Sequence, residues 1–382
     1  MGLKREREVP GCRPHEAPLV WPAFSRESER EVLSVLRSGR VNYWTGSRGK
    51  AFEAAFASYL GVKKALAVSS GTAALQLALE ALGVGRGDDV VVTAYSFRAS
   101  STCVSNVGAN PIYADVGSDH MLNAATISRV LTPRTKAIVV VHLFGQVADM
   151  GPILALAKKK KLLVVEDCAQ CLGGEYRGKK VGTLGDAGCF SFCHSKHITT
   201  GGEGGMVVCR SMRAARAVES LRDHGWKVGS APKEYERVGY NARLTEIQSA
   251  VGLGELARFE TWNMPRRRRL ADELLKSLRA LDAKLGKRSP FEIWPIDTPE
   301  RKASFWLVPV VINRSAISCS VAKMVEELQK MSLPVYRILW PLEKSLPKAA
   351  ELERATIGFW VHPTLKISDM RRAAAAIRSF LI

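Results

Sequence analysis

Between about residues 50 and 255 the sequence alternates short apolar runs with amphipathic segments, and this alternation constrains the fold more than any other feature. The apolar runs are KALAVSS (64–70), DDVVVTAYSF (88–97), NPIYADV (110–116), KAIVVVHLF (136–144), KLLVVED (161–167), AGCFSF (187–192) and GMVVCR (205–210). They are too short for helices and rich in Val and Ile, as buried strands are. Helical patterns lie between several of them: GTAALQLALEALG (71–83), NAATISRVL (123–131) and DMGPILALAKKK (149–160). Strands alternating with helices predict an α/β fold, a mainly parallel mixed sheet covered by helices. Ligands of such sheets bind beyond the carboxyl ends of the strands, so the residues that follow each strand are the candidates for chemistry.

The pattern changes near residue 256. A long helix (RRRRLADELLKSLRALDAKLG, 266–286) leads to strand-like FWLVPVVI (305–312). The helix SVAKMVEELQKM (320–331), the segment VYRILWP (335–341), a loop and a closing helix (367–380) follow. We expect an N-terminal segment over 1–40, a large α/β domain over 41–255 and a smaller α+β domain over 256–382. A chain of 382 residues has room for such a pair. The first twenty residues hold no apolar leader core, Gly2 lacks the Ser or Thr at position 6 that acylation requires, and the longest apolar runs are far short of a membrane span. The expectation is a cytoplasmic protein with no membrane partner. Eight scattered cysteines fit reduced thiols rather than a disulfide framework.

The net charge of +19 raises nucleic acid or anionic substrates as partners. The two cationic runs, Lys158–Lys161 and Arg266–Arg269, read as solvated helix faces. No aromatic-interleaved basic motif or zinc-finger spacing supports a nucleic-acid site.

The strand ends carry the informative residues. Ser69-Ser70-Gly71-Thr72 opens a helix, which is either an anion seat or an ordinary N-cap. Tyr95 and Phe97 end a strand as core rings or as a stacking face. Glu166-Asp167 end another, and a carboxylate left there calls for a positive partner. Cys168-Ala169-Gln170-Cys171 has redox spacing without the context of a redox helix. In SFCHSKHITTGGEGG (191–205), Lys196 could be a surface charge, a neighbour to a metal site of Cys193, His194 and His197, or a nucleophile. The metal reading, for which no fourth ligand stands at diagnostic spacing, is the weakest, so no metal is expected. An anion seat, a flat ring, a carboxylate and a lysine together meet the needs of pyridoxal phosphate.

In the order VNYWTG, SSGTAAL, EDCAQ, SFCHSKHITTGGEGGMVV, RDHG, YNARLTEIQSAVG and VHPTL, the chain resembles the sugar aminotransferases of the aspartate-aminotransferase superfamily, which aminate nucleotide-linked keto sugars. The resemblance covers nearly the whole chain. It implies pyridoxal phosphate as cofactor, Lys196 as the Schiff-base lysine and proton shuttle, and Asp167 as partner of the pyridinium nitrogen. It further implies Gln170 at a ring substituent, Phe97 as the stacking ring, and Gly71, Thr72 and Ser191 at the phosphate. Asn241 would reach the phosphate held by a second subunit, in a homodimer with shared sites. The implied reaction moves an amino group from an amino acid, with glutamate expected, to a nucleotide-linked keto-deoxy sugar for a polysaccharide or glycosylated metabolite. A keto-cyclitol acceptor, a sugar dehydratase and a non-catalytic anion-binding protein are the alternatives. The dehydratases carry histidine at the lysine position. Aligned on Ser191-Phe192, that position is Lys196 here, and His197 follows it.

Overall fold

The computed structural model describes residues 21–231, 234–286, 289–294, 297–338 and 340–381. The opening twenty residues, on which the leader and acylation expectations rest, lie outside them.

Two helices, α1 (Arg26–Ser38) and α2 (Arg48–Leu60), precede the first sheet. The chain then runs β1 (Ala65–Val68), α3 (Gly71–Ala81), β2 (Asp89–Thr93), α4 (Ala99–Asn106), β3 (Asn110–Ala114), α5 (Ala124–Val130), β4 (Thr135–Val141), α6 (Met150–Lys160) and β5 (Leu163–Asp167). A small hairpin, β6 (Glu175–Tyr176) and β7 (Lys179–Lys180), leads to β8 (Ala187–Ser191), β9 (Gly205–Cys209), α7 (Met212–Leu221) and α8 (Glu246–Ala257). All seven expected strands join one sheet, ordered β1-β9-β8-β5-β4-β2-β3. β2, β3, β4, β5 and β8 run parallel, and β9 is antiparallel to both of its neighbours. Apart from the edge strand β3, in which only Ala114 is buried, the strands are buried nearly throughout, as the continuous apolar runs require when helices cover both faces.

The remainder is α9 (Met264–Leu285), β10 (Phe291–Ile293), β11 (Arg301–Lys302), β12 (Leu307–Ile312), α10 (Val321–Lys330), β13 (Val335–Arg337), α11 (Pro347–Ala355), β14 (Thr356–Trp360) and α12 (Ile367–Ala376). A second, antiparallel sheet is ordered β10-β12-β14-β13. The stretch expected to be a loop after VYRILWP thus contains α11 and β14, the latter an interior strand. Pro347 starts the helix rather than stopping the chain, a position where its missing N–H costs nothing. A Cβ at Gly358 would lie 3.0 Å from the Leu307 side chain, so β14 packs closely on its neighbour at this point. The core around the first sheet extends into this half through Trp294, Trp306, Leu307 and Leu352.

The expectation of a solvated arginine run needs correction. Pro265 opens α9 as read, but Arg267 is 1% exposed. Its Nε donates to Asn263 Oδ1 at 2.7 Å, and Nη1 points to the carbonyls of Phe305 and Trp306 at 3.5 and 3.4 Å. No carboxylate pairs with it among the described residues, and burial pushes the guanidinium down to about 9. Lys158–Lys160 do form the last turn of α6, where cations suit the helix dipole.

Candidate active site

A cavity of about 450 Å³ opens at the carboxyl ends of β1, β2, β4, β5 and β8. Seven of the eight sequence-predicted site residues line it: Gly71, Thr72, Phe97, Asp167, Gln170, Ser191 and Lys196. The eighth, Asn241, does not. It is exposed, bridged to Asp223, and outside the cavity of its own chain.

The anion seat and the N-cap prove to be one feature. Ser70 caps α3 by accepting the Ala73 N–H at 3.1 Å. The next two amides, of Gly71 and Thr72, begin the helix and have no carbonyl to donate to. Gly71 is required by close approach: a Cβ there would stand 2.6 Å from Cβ of Ser191. The Ser191 hydroxyl therefore sits against the helix N-terminus, and the pair makes a cradle for an anion.

Asp167 ends β5, buried. Its Oδ2 accepts from Ser100 Oγ at 2.7 Å and its Oδ1 from the Ala169 N–H at 3.1 Å. Burial raises its pKa, opposed by those two hydrogen bonds and by the charges of Lys196 and His142. No cation pairs with it at salt-bridge distance among the described residues. It is a buried carboxylate on a cavity, in need of a cation there. Ser100, on α4, was missed because no helix was read over 99–106. Behind Asp167, Glu166 accepts the N–H groups of Gly182, Leu184 and Gly185 at 2.7 to 2.8 Å, and His142 Nε2 at 3.0 Å. Cys168 completes a buried cluster with these two residues, but Glu166 is saturated and its role is to staple the 182–185 loop.

Lys196 lies in the loop after β8, and this loop settles which of two neighbours faces the cavity. Lys196 lines it. His197 turns away, buried, with Nε2 at 3.1 Å from the Ser304 carbonyl and its own carbonyl accepting from Asn263 Nδ2 at 2.5 Å. The metal trio does not converge: Cys193 Sγ lies 3.3 Å from His194 Nδ1, while His197 is held elsewhere. Burial lowers the Lys196 pKa to about 8, and the Asp167 charge pulls the other way. Its Nζ sits 4.5 Å from the ring centre of Trp306, whose Nε1 donates to the Ser195 carbonyl at 2.7 Å. A lysine so placed offers a neutral amine near physiological pH.

Gln170 Oε1 accepts the Phe144 N–H at 2.9 Å, which leaves its amide hydrogens for the cavity. Of the two aromatics ending β2, Tyr95 is core and Phe97 lines the cavity with 53% of its surface exposed. Trp306 and Trp340 also line it. Both were missed. They stand in apolar, strand-like segments where a tryptophan reads as core, and only the packing of the second half against the first brings them here. The CxxC thiols, Cys168 and Cys171, are fully buried with raised pKa values, against redox or nucleophilic use.

Known proteins resemble this chain over most of its length. Residues 22–376 match the model of the DegT/DnrJ/EryC1/StrS aminotransferase family. A UDP-N-acetyl-3-dehydro-alpha-D-glucosamine 3-aminotransferase of Acidithiobacillus ferrooxidans is 36% identical over 349 residues, 89% of this chain and 90% of the relative. An L-glutamine:2-deoxy-scyllo-inosose aminotransferase of Streptomyces paromomycinus is 43% identical over 273 residues, 67% of this chain and 64% of the relative. The crystal structure of an aminotransferase from Psychrobacter cryohalolentis superimposes with a TM-score of 0.87 at 34% identity, covering 94% of this chain and 98% of that one. The chain belongs to the DegT/DnrJ/EryC1/StrS aminotransferase family and is an enzyme of that class.

Proposed function

We propose that the enzyme uses pyridoxal phosphate to move an amino group from an amino acid, glutamate first among candidates, to a ketone on a nucleotide-linked deoxy sugar. The observation that carries the reading is the cavity itself. A buried carboxylate with no cation at salt-bridge distance among the described residues, an anion cradle that a Cβ at Gly71 would fill, and a buried amine line one space of the right chemistry.

Held there, pyridoxal phosphate supplies an electron sink that stabilises negative charge on the carbon undergoing proton transfer. The rest is the work of the chain. The Gly71 and Thr72 amides, the Thr72 hydroxyl and the Ser191 hydroxyl bind the phosphate. Asp167, held by Ser100 and the Ala169 amide, keeps the ring nitrogen protonated. Gln170 donates to a ring oxygen, and Phe97 covers a ring face. Lys196 Nζ would hold the cofactor and would take and return the proton at the substrate carbon. Trp306 holds that nitrogen close and keeps water from one side of it.

Asn241, exposed and outside its own cavity, is assigned to the phosphate of a second subunit in a homodimer. The division into a large domain over 41–255 and a small one over 256–382 belongs to the same reading. It is supported by the seven-stranded sheet of the first part and the four-stranded sheet of the second, which are joined by a small third sheet in which β11 pairs with β6. The relative that acts on 2-deoxy-scyllo-inosose keeps a keto-cyclitol as the second acceptor class. The deciding experiment incubates the enzyme with pyridoxal phosphate, labelled glutamate and each ketone in turn. Label in an aminated nucleotide sugar supports the reading, label in an aminocyclitol only moves it to the second class, and label in neither refutes both.

A further inference from the structure

We propose that Trp340, backed by Trp306, forms the recognition face for the acceptor, stacking on the C–H face of the ring that bears the ketone, and so helps determine specificity. This rests on the ring-ketone reading above and names the residues that would discriminate for it.

The position of the two indoles follows from Lys196. Its Nζ marks the place of the reacting nitrogen, and the Trp306 ring centre is 4.5 Å away. Trp340 stacks beside Trp306 with centroids 5.8 Å apart and planes 23° from parallel. It also meets Phe97 edge-on at 6.0 Å. Trp306 is nearly buried, whereas Trp340 is partly open and presents surface to the cavity. Whatever brings a carbonyl carbon to Lys196 must place its neighbouring atoms against this aromatic wall.

The wall is rigid. Phe144 lies behind it, stacked on Trp340 at 5.4 Å and on Trp306 at 6.4 Å, with a backbone φ of 60° that a phenylalanine adopts only when packing holds it. Trp360 meets Trp306 edge-on at 5.1 Å and is stacked in turn on Tyr336. The main chain at Trp340 is pinned to the end of β2. Ser96 N–H donates to the Trp340 carbonyl at 3.0 Å, and Leu342 N–H to the Ala94 carbonyl at 2.7 Å. The first and second sheets therefore share this wall, and its place relative to Phe97 is fixed.

The chemistry of the wall selects the ligand. An indole face offers no hydrogen-bond acceptor for a hydroxyl and no cation for a carboxylate, but it packs well on a flat array of C–H groups. Among the lining residues there is no arginine, and the cationic side chains are Lys196 and, when protonated, His194. An open-chain keto acid gains little from such a wall. A six-membered ring with a hydrogen-rich face, as in deoxygenated sugars and cyclitols, gains a well-packed contact.

The test compares Trp340→Ala and Trp340→Phe with the wild-type holoenzyme in single-turnover reactions of the aminated enzyme. The probes are UDP-linked 3-keto-N-acetylglucosamine, 2-deoxy-scyllo-inosose and the open-chain 2-oxoglutarate. For the ring ketone that wild type accepts, Trp340→Ala is expected to lower kcat/KM about tenfold more than for 2-oxoglutarate, chiefly through KM, and Trp340→Phe to recover most of that difference. Because Phe97 leans on Trp340, a general disturbance of the cofactor would lower both kinds of substrate equally. Equal losses, or none, overturn the assignment and leave the ring-ketone reading standing. Wild-type turnover of 2-oxoglutarate with neither ring ketone overturns that reading, and the assignment with it.

Discussion

Removing the charge of Lys196 should stabilise the cofactor-free enzyme, and the size of the effect can be worked out. In the unfolded chain the amine titrates near its ordinary 10.5; in the fold, burial lowers it to about 8. Below pH 8 both states are protonated, and the folded state carries the full penalty of a buried ammonium. Above 10.5 both are neutral and the penalty is gone. The gap corresponds to about 3 kcal/mol, at 1.36 kcal/mol per pKa unit. Lys196→Met keeps much of the side-chain volume without the charge. It should therefore raise the unfolding free energy of the cofactor-free protein by about 3 kcal/mol at pH 7, with the gain shrinking towards zero as pH rises from 8 to 10.5. Urea unfolding of both proteins at pH 7 and pH 10 measures the difference. A variant no more stable at pH 7, or one equally stabilised at both pH values, refutes the picture of a buried, depressed amine. The same depression explains reactivity: at pH 7 about one such amine in ten is neutral, against about one in three thousand at 10.5.

Three further outcomes follow from the geometry. Asp167→Asn removes the charge that raises the Lys196 pKa and weakens the hold on a protonated ring nitrogen; transamination should fall at least about tenfold while the pH midpoint of cofactor capture moves below that of wild type, both readable by stopped-flow absorbance. Gly71→Ala should weaken cofactor binding at least about tenfold in an equilibrium titration while circular dichroism stays native, because the new methyl meets Cβ of Ser191. Glu53→Ala strands buried Arg222, which pairs with Glu53, donates to the Ala67 carbonyl at 2.7 Å and to Tyr43 Oη at 2.8 Å; the loss should be about 3–5 kcal/mol in denaturant unfolding.

What could be read from the sequence divides along a physical line. The seven strands of the first sheet stand out because burial on both faces makes them continuous apolar runs, and their carboxyl ends show Gly71, Asp167, Ser191 and Lys196 because polar residues interrupt those runs at the functional edge. Lys196 could be told from His197 by chain register alone, and the loop geometry agrees. Trp306 and Trp340 reach the cavity, and Ser100 reaches Asp167, only through tertiary packing, and nothing local distinguishes a tryptophan on a site from one in a core. β14 escaped notice because its glycine serves a close contact with Leu307, which is invisible without the partner strand. Arg267 was misread because a run of four arginines on a helix presents every side of it, and one side faced the core. Asn241 lies outside the cavity of its own chain, and the role proposed for it requires a second chain.

The central claim, that Lys196 anchors pyridoxal phosphate for transamination, is tested most directly by the visible absorption spectrum of the purified enzyme with added cofactor, beside Lys196→Ala. The account predicts a visible band of lysine-bound cofactor in the wild type, its bleaching by glutamate, and no such band in the variant. A band that survives in Lys196→Ala, or a wild type that stays colourless with the cofactor, contradicts it.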